Sequence, residues 1–192
     1  MEEILVEVSA RHIHLSQEAI EALFGEGHQL HPIFDLSQPG QFACEEKVIA
    51  RTPKGELSFR VLGPARSKTQ IEVSLTETRK LGIQAPIRDS GDITGTPGCL
   101  LVGPSGEYQI DEGIIVAKRH IHMHPSDAEH YGVEDGDLVS VKVDSEGRSL
   151  IFSDTLIRVS PKYALAMHID TDEANAANIG PKGTLGILIK NL

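Results

Sequence analysis

A four-residue motif, Arg11-His12-Ile13-His14, returns as Arg119-His120-Ile121-His122, 108 residues further along a chain of 192. Two copies in one short chain imply two related halves, each repeating the local structure around its motif. Each copy follows a short apolar run, Ile4 to Val8 and Ile114 to Val116, and each precedes a polar helix start. A second echo lies downstream. Ile71-Glu72-Val73-Ser74-Leu75-Thr76-Glu77 corresponds in pattern to Met167-His168-Ile169-Asp170-Thr171-Asp172-Glu173, now at an offset of 96 residues. The first half therefore carries a dozen extra residues between its motifs, which fall in the Pro- and Gly-containing stretch His31 to Cys44 and suggest a flap or lid.

Local patterning favours short strands. Lys47 to Leu62 reads as two strands around Pro53-Lys54-Gly55, with Leu57, Phe59 and Val61 on one face. Leu138 to Val143 alternates with period two, and Asp144 to Gly147 turns it into Leu150-Ile151-Phe152. Helices are few and short. Ser16 caps one carrying Ile20, Leu23 and Phe24 and ending at Gly25, and Thr76 to Leu81 and Thr171 to Asn178 are two more. With 18 Gly, 10 Pro and no Trp, the composition suits strands joined by tight turns, and Asp89 to Gly113 reads as the connector between halves.

Alternate residues of a strand share a face, so His12 with His14, and His120 with His122, each present two imidazoles side by side. One H-x-H alone is weak evidence and reads more readily as two half-exposed strand histidines; its duplication in the same context points to metal binding. The self-alignment adds a third ligand to each pair, Glu72 in the first half and His168 in the second. Three protein ligands leave a coordination position open, as in catalytic zinc sites. His124 extends the second cluster but aligns with Ser16, so capping a helix or supporting the ligands is expected of it rather than ligation, whereas His28, His31 and His130 have no repeated partner and read as surface or loop residues.

Arg66, in Gly63-Pro64-Ala65-Arg66-Ser67, is suited to hold a phosphate or carboxylate beside the metals, the plainer reading being a solvated loop arginine. Arg60 faces away from the apolar side of its strand, toward an ion pair or an anionic ligand. Cys44 and Cys99 read as reduced structural thiols. The formal charge of −10 argues against nucleic-acid binding. No apolar run approaches a membrane span, and the N-terminus lacks signal-peptide order, so the expectation is a cytoplasmic chain with no membrane partner. P-loop, dinucleotide and G-x-S-x-G motifs are missing.

The duplicated R-H-I-H, the E-V-S-L-T-E stretch, A-P-I-R-D-S-G-D and the closing H-I-D-T-D-E-A-N resemble the PduL-type phosphate acyltransferases, or phosphate propanoyltransferases, over essentially the whole chain. The resemblance implies a mainly β fold of two small related β-barrels capped by short helices, with the active site between them. Residues 11–90 would form the first barrel, with a lid at about 26–45; 91–113 would connect; 1–10 plus 114–192 would form the second. It further implies two zinc ions, Co2+ being another divalent candidate. His12, His14 and Glu72 would hold the zinc that meets the coenzyme A sulfur, and His120, His122 and His168 the other. Arg66 matches the phosphate arginine, and Ser9, Arg60, Leu62 and Asn175 match positions lining coenzyme A.

The implied reaction is reversible conversion of propanoyl- or acetyl-coenzyme A plus phosphate to acyl phosphate plus coenzyme A, in propanediol or acetate metabolism, by a homodimer. Members housed in bacterial microcompartments carry an N-terminal extension, whereas here His12 stands eleven residues from the start; a cytoplasmic acetyl or propanoyl enzyme is the expectation, with a microcompartment lumen as the alternative. Two other readings remain at this level: a metal-dependent thioester or phosphoester hydrolase, and a binding module with structural metals.

Overall fold

The structure, a computed structural model, describes residues 3–190. The first two and last two residues, read above as part of the second barrel, lie outside the described residues. The elements in order are β1 (Glu3–Val8), β2 (His12–His14), α1 (Gln17–Phe24), β3 (Pro32–Asp35), β4 (Phe42–Thr52), β5 (Gly55–Gly63), β6 (Gln70–Glu72), α2 (Leu75–Leu81), β7 (Ile87–Arg88), β8 (Cys99–Val102), β9 (Glu107–Ile110), β10 (Ile114–Ala117), β11 (His120–Met123), α3 (Pro125–Tyr131), β12 (Leu138–Val143), β13 (Leu150–Val159), β14 (Ala166–Ile169), α4 (Thr171–Ala176) and β15 (Thr184–Ile189). The fold is mainly β with four short helices, as the patterning indicates. No helix among the described residues is long and apolar enough to cross a membrane.

The chain divides into two compact units. Among the described residues, one comprises 3–10, Ser37–Pro39 and 118–190; the other comprises Arg11–Leu36 and Gly40–Ala117. The first is a closed barrel in the order β1-β14-β11-β13-β12-β15, in which β15 pairs with both β12 and β1 and so removes the free edges. Its core gathers Ile4, Val6, Ile121, Met123, Val141, Val143, Ile157, Met167 and Ile169. The second is a curled half-barrel in the order β7-β10-β6-β2-β5-β4-β8-β9, with β3 on β4. Its core is built on Ile13, Phe59, Val61, Ile71, Leu101 and Ile114.

The repeat is legible strand by strand. The run β10-β6-β2-β5-β4 matches β1-β14-β11-β13-β12, with the same succession of parallel, antiparallel, parallel and antiparallel pairings. In both, the strand that precedes the R-H-I-H motif pairs with the other half: β1 lies on β14, and β10 lies on β6. Residues 114–117 therefore belong with the first half, not with the second as the sequence suggested. The half-barrel stays open because β10 and β4 meet β7 and β8 on their outer sides rather than one shared closing strand.

The stretch 91–113 is likewise more than a connector. Cys99 and Leu101 point inward on β8, which extends the sheet from β4 and pairs onward with β9. Within the segment 26–45, β3 is an exposed edge strand, and Ser37–Pro39 group with the barrel. There Gln38 exchanges two hydrogen bonds with the Ala164 backbone, its Nε2 donating at 2.9 Å and its Oε1 accepting at 3.2 Å.

The arginine of each motif has a matching structural task. Arg11 donates from Nε to the Ser58 carbonyl (3.0 Å) and pairs with Glu77 (2.8 Å). Arg119 does the same with Ser153 (2.6 Å) and Glu173 (2.7 Å). Those glutamates accept from the Ser74 and Asp170 backbones at the starts of α2 and α4, tying each motif to the helix that follows the second echo. α1 begins as expected, with Ser16 Oγ accepting from the Ala19 amide, and stops at Gly25.

Candidate metal centre

The short strands β2 and β6 run antiparallel with His12 opposite Glu72 and His14 opposite Gln70. That register brings one donor atom from each of His12, His14 and Glu72 within 4.8 Å of one another, all three residues being buried. His12 Nε2 and Glu72 Oε2 stand 3.5 Å apart, too long for a good hydrogen bond and close to the ~3.3 Å edge of a tetrahedron with ~2.0–2.1 Å metal–ligand bonds. His14 Nδ1 is a buried atom with no hydrogen-bond partner. Burial first, then the neighbouring His12 and Arg66, hold the His14 pKa well below the ordinary value, so the imidazole is neutral and its lone pair available. An orphaned nitrogen, a second imidazole and a carboxylate make a donor set that fits zinc, cobalt or another borderline divalent cation.

Glu72 is aimed by groups that the sequence reading passed over. Gln70 Nε2 and Ser90 Oγ both donate to Glu72 Oε1, each at 2.7 Å, leaving Oε2 for the histidine side. Gln70 is in turn held by the Gly91 amide at 2.8 Å. The signal was present: Gln70 shares a strand face with Glu72, and Ser90 lies within A-P-I-R-D-S-G-D. Gln70→Leu is expected to weaken metal retention at this cluster by about 10- to 100-fold, measured by dialysis against graded chelator. Retention equal to the parent protein would show that Oε1 needs no such support.

Arg66 is brought beside His14 by its backbone: its amide donates to the Leu15 carbonyl at 2.8 Å, and residues 16 and 66 form a parallel bridge. On β5, His12 pairs with Arg60, and Arg60 and Leu62 alternate with the buried Phe59 and Val61, the opposite-face arrangement expected. Arg60 Nη1 donates to the Cys44 carbonyl at 2.6 Å. Arg60 and Leu62 belong to the half-barrel unit; Ser9, whose amide donates to Ile169, and Asn175, in α4, belong to the barrel unit.

In the barrel, β11 and β14 repeat the register, with His120 opposite His168 and His122 opposite Ala166. The rings of His120, His122 and His168 gather with centroids 4.6, 5.3 and 5.0 Å apart. The His120 and His168 rings stack, with 25° between their planes. His120 Nδ1 lies 2.8 Å from the Lys118 carbonyl, an arrangement that presents Nε2 as the donor. His122 Nδ1 is buried without a hydrogen-bond partner, and burial, with His120, His168 and Arg158 adding, drives its pKa down to about 2. Tyr163, unremarked in the sequence, covers His122 at 4.1 Å between centroids and lies under Arg158.

His124 caps α3, accepting from the Ser126 amide at 3.2 Å, in line with its alignment to Ser16. Cys44 and Cys99 are free and buried, and burial pushes their thiols up to about 11 and about 12. His28 and His31 do lie in the segment after α1, but not as unconnected loop residues: both rings converge on buried Glu46, forming with it a second compact group of metal-ligating type.

Residues 5–180 match the family model for phosphate propanoyltransferase. A phosphate propanoyltransferase of Thermotoga maritima is 56% identical over 175 residues, covering 91% of this chain and 83% of the relative. Those of Listeria monocytogenes and Enterococcus faecalis are 50% and 51% identical, each over 186 residues, covering 96% of this chain and 86% and 87% of the relatives.

Proposed function

Because the chain belongs to the phosphate propanoyltransferase family and is thereby an acyltransferase with phosphate acyltransferase activity, we propose that it moves a propanoyl or acetyl group reversibly between coenzyme A and inorganic phosphate. The observation that carries this reading is the gathering of His12, His14 and Glu72 with the orphaned His14 Nδ1, beside an arginine. His12, His14 and Glu72 would hold one zinc ion, and His120, His122 and His168 a second. When bound, zinc would supply a borderline Lewis acid with good affinity for thiolate, able to stabilise the sulfur leaving group near neutral pH and to polarise the acyl carbonyl.

The chain's own groups supply position and charge. Arg66 holds phosphate bidentately and aims one oxygen at the acyl carbon. The new bond is carbon to phosphate oxygen; the bond broken is carbon to sulfur, with its electron pair leaving on the thiolate of coenzyme A. Ser9, Arg60, Leu62 and Asn175 line the coenzyme. In this reading phosphate attacks directly, and ping-pong kinetics with a covalent acyl-enzyme would overturn it; Cys44 and Cys99, buried with thiols raised to about 11 and about 12, offer no thiolate nucleophile near neutral pH.

The test is thioester absorbance of propanoyl- and acetyl-coenzyme A with the metal-loaded protein, with and without phosphate. Loss that requires both phosphate and metal is expected. Loss without phosphate would make the protein a hydrolase, and no loss from the metal-loaded protein would leave only a binding role.

A further inference from the structure

The second compact group lies in the half-barrel unit, at the start of the segment inserted between the repeated motifs. Glu46 points inward on β4, in phase with Cys44, Val48 and Ala50, and is only 7% exposed. A carboxylate on the core phase of a strand requires a partner of opposite charge or several donors. Among the described residues, Glu46 meets no lysine or arginine at ion-pair distance; its partners are His28 Nε2 at 2.8 Å and His31 Nδ1 at 2.7 Å, both on the same oxygen, Oε1. Burial pushes its pKa up, and the hydrogen bonds from His31 and His28 more than reverse this, so the group is an anion.

The donors are held before any ion arrives. His28 stacks on Phe24, centroids 5.0 Å apart at 23°, and Leu30 between the two histidines packs into the core. The Glu45 amide donates to the His31 carbonyl at 2.9 Å, fixing this segment against β4. The His31 amide reaches both carboxylate oxygens at 3.2 Å, so it can keep Oε2 while Oε1 turns to a cation. His31 is exposed and opens the cluster to solvent, which leaves water to complete the coordination. We propose that His28, His31 and Glu46 form a further divalent transition-metal site, of the two-imidazole, one-carboxylate type that suits Zn2+ or Co2+, and that the bound ion clamps the inserted segment to β4. The ion takes the place of two N–H···O hydrogen bonds: each imidazole carries its proton on the other ring nitrogen and gives a lone pair to the metal.

This site stands independently of the acyl-transfer reading, and Zn2+ itself is the probe. The full chain is stripped with chelator, equilibrated with Zn2+, and its metal content counted beside His28→Gln/His31→Gln, His12→Ala/His14→Ala and the four-fold combination. The lid-side double variant is expected to hold one equivalent fewer than the parent, and the combination to lose that equivalent in addition to the one lost from the first cluster. Equal zinc content in parent and lid-side variant overturns the proposal. If that variant does not fold, His31→Gln, at an exposed ring, is expected to weaken one equivalent's affinity on the order of tenfold or more. Unchanged affinity of every equivalent is equally decisive against it. Failure of the acyl-transfer reading would look different: full zinc content and no phosphate-dependent thioester loss.

Discussion

His14→Ala is expected to lower phosphate-dependent thioester cleavage by at least about a thousandfold, or ~4 kcal/mol of transition-state stabilisation, and to remove one metal equivalent per chain. The expectation rests on how His14 is kept. Its side chain sits on a three-residue strand, 2% exposed, with Nδ1 paired to no other group and the ring neutral through burial and the charge of Arg66. A buried nitrogen left without a hydrogen bond costs stability unless something occupies its lone pair. Alanine removes that lone pair and leaves His12 and Glu72 as a two-ligand site. Metal analysis after dialysis, alongside a thermal unfolding scan, separates loss of the ion from loss of the fold. A folded His14→Ala protein with full metal and near-parental turnover would remove His14 from the reaction.

Arg66→Ala carries the second largest effect, a rise of about 10- to 150-fold in KM for phosphate with a much smaller change in KM for the acyl-coenzyme A. Loss of a charge-assisted bidentate contact costs ~1.5–3 kcal/mol, which converts to that range. The fold is expected to survive, because what positions residue 66 is its backbone, through the amide bond to Leu15 and the bridge to Ser16, and alanine keeps both. Arg66→Lys should recover only part of the loss, since a point charge cannot match the planar fork. Steady-state kinetics with each substrate varied in turn decides the matter: a change confined to the acyl-coenzyme A would move Arg66 from the phosphate to the coenzyme.

Much of the candidate site is legible in a single chain because duplication acts as an internal control. Two R-H-I-H copies followed by aligned Glu72 and His168 named six side chains, and both antiparallel pairings then set His12 against Glu72 and His120 against His168. The alignment could not reveal that the two clusters differ. The first draws its donors within 4.8 Å; the second stacks its rings, with Tyr163 over His122. Ring orientation depends on neighbours distant in sequence, and the motif itself carries no record of them.

The amino-acid sequence by itself determined the mainly β class, the two related halves, the helix starts at Ser16 and His124, and the pairing of histidines on one strand face. All of these follow from short-range periodicity and capping chemistry, which act over a few residues. The family resemblance already placed residues 1–10 with the second half; only the tertiary structure decided that β10 joins the first, since β10 on β6 is a long-range register that local pattern leaves open. It also decided that Gln70 and Ser90 aim Glu72, and that His28 and His31 meet Glu46. A buried carboxylate must find its donors through space, and the chain supplies them from wherever folding brings them close.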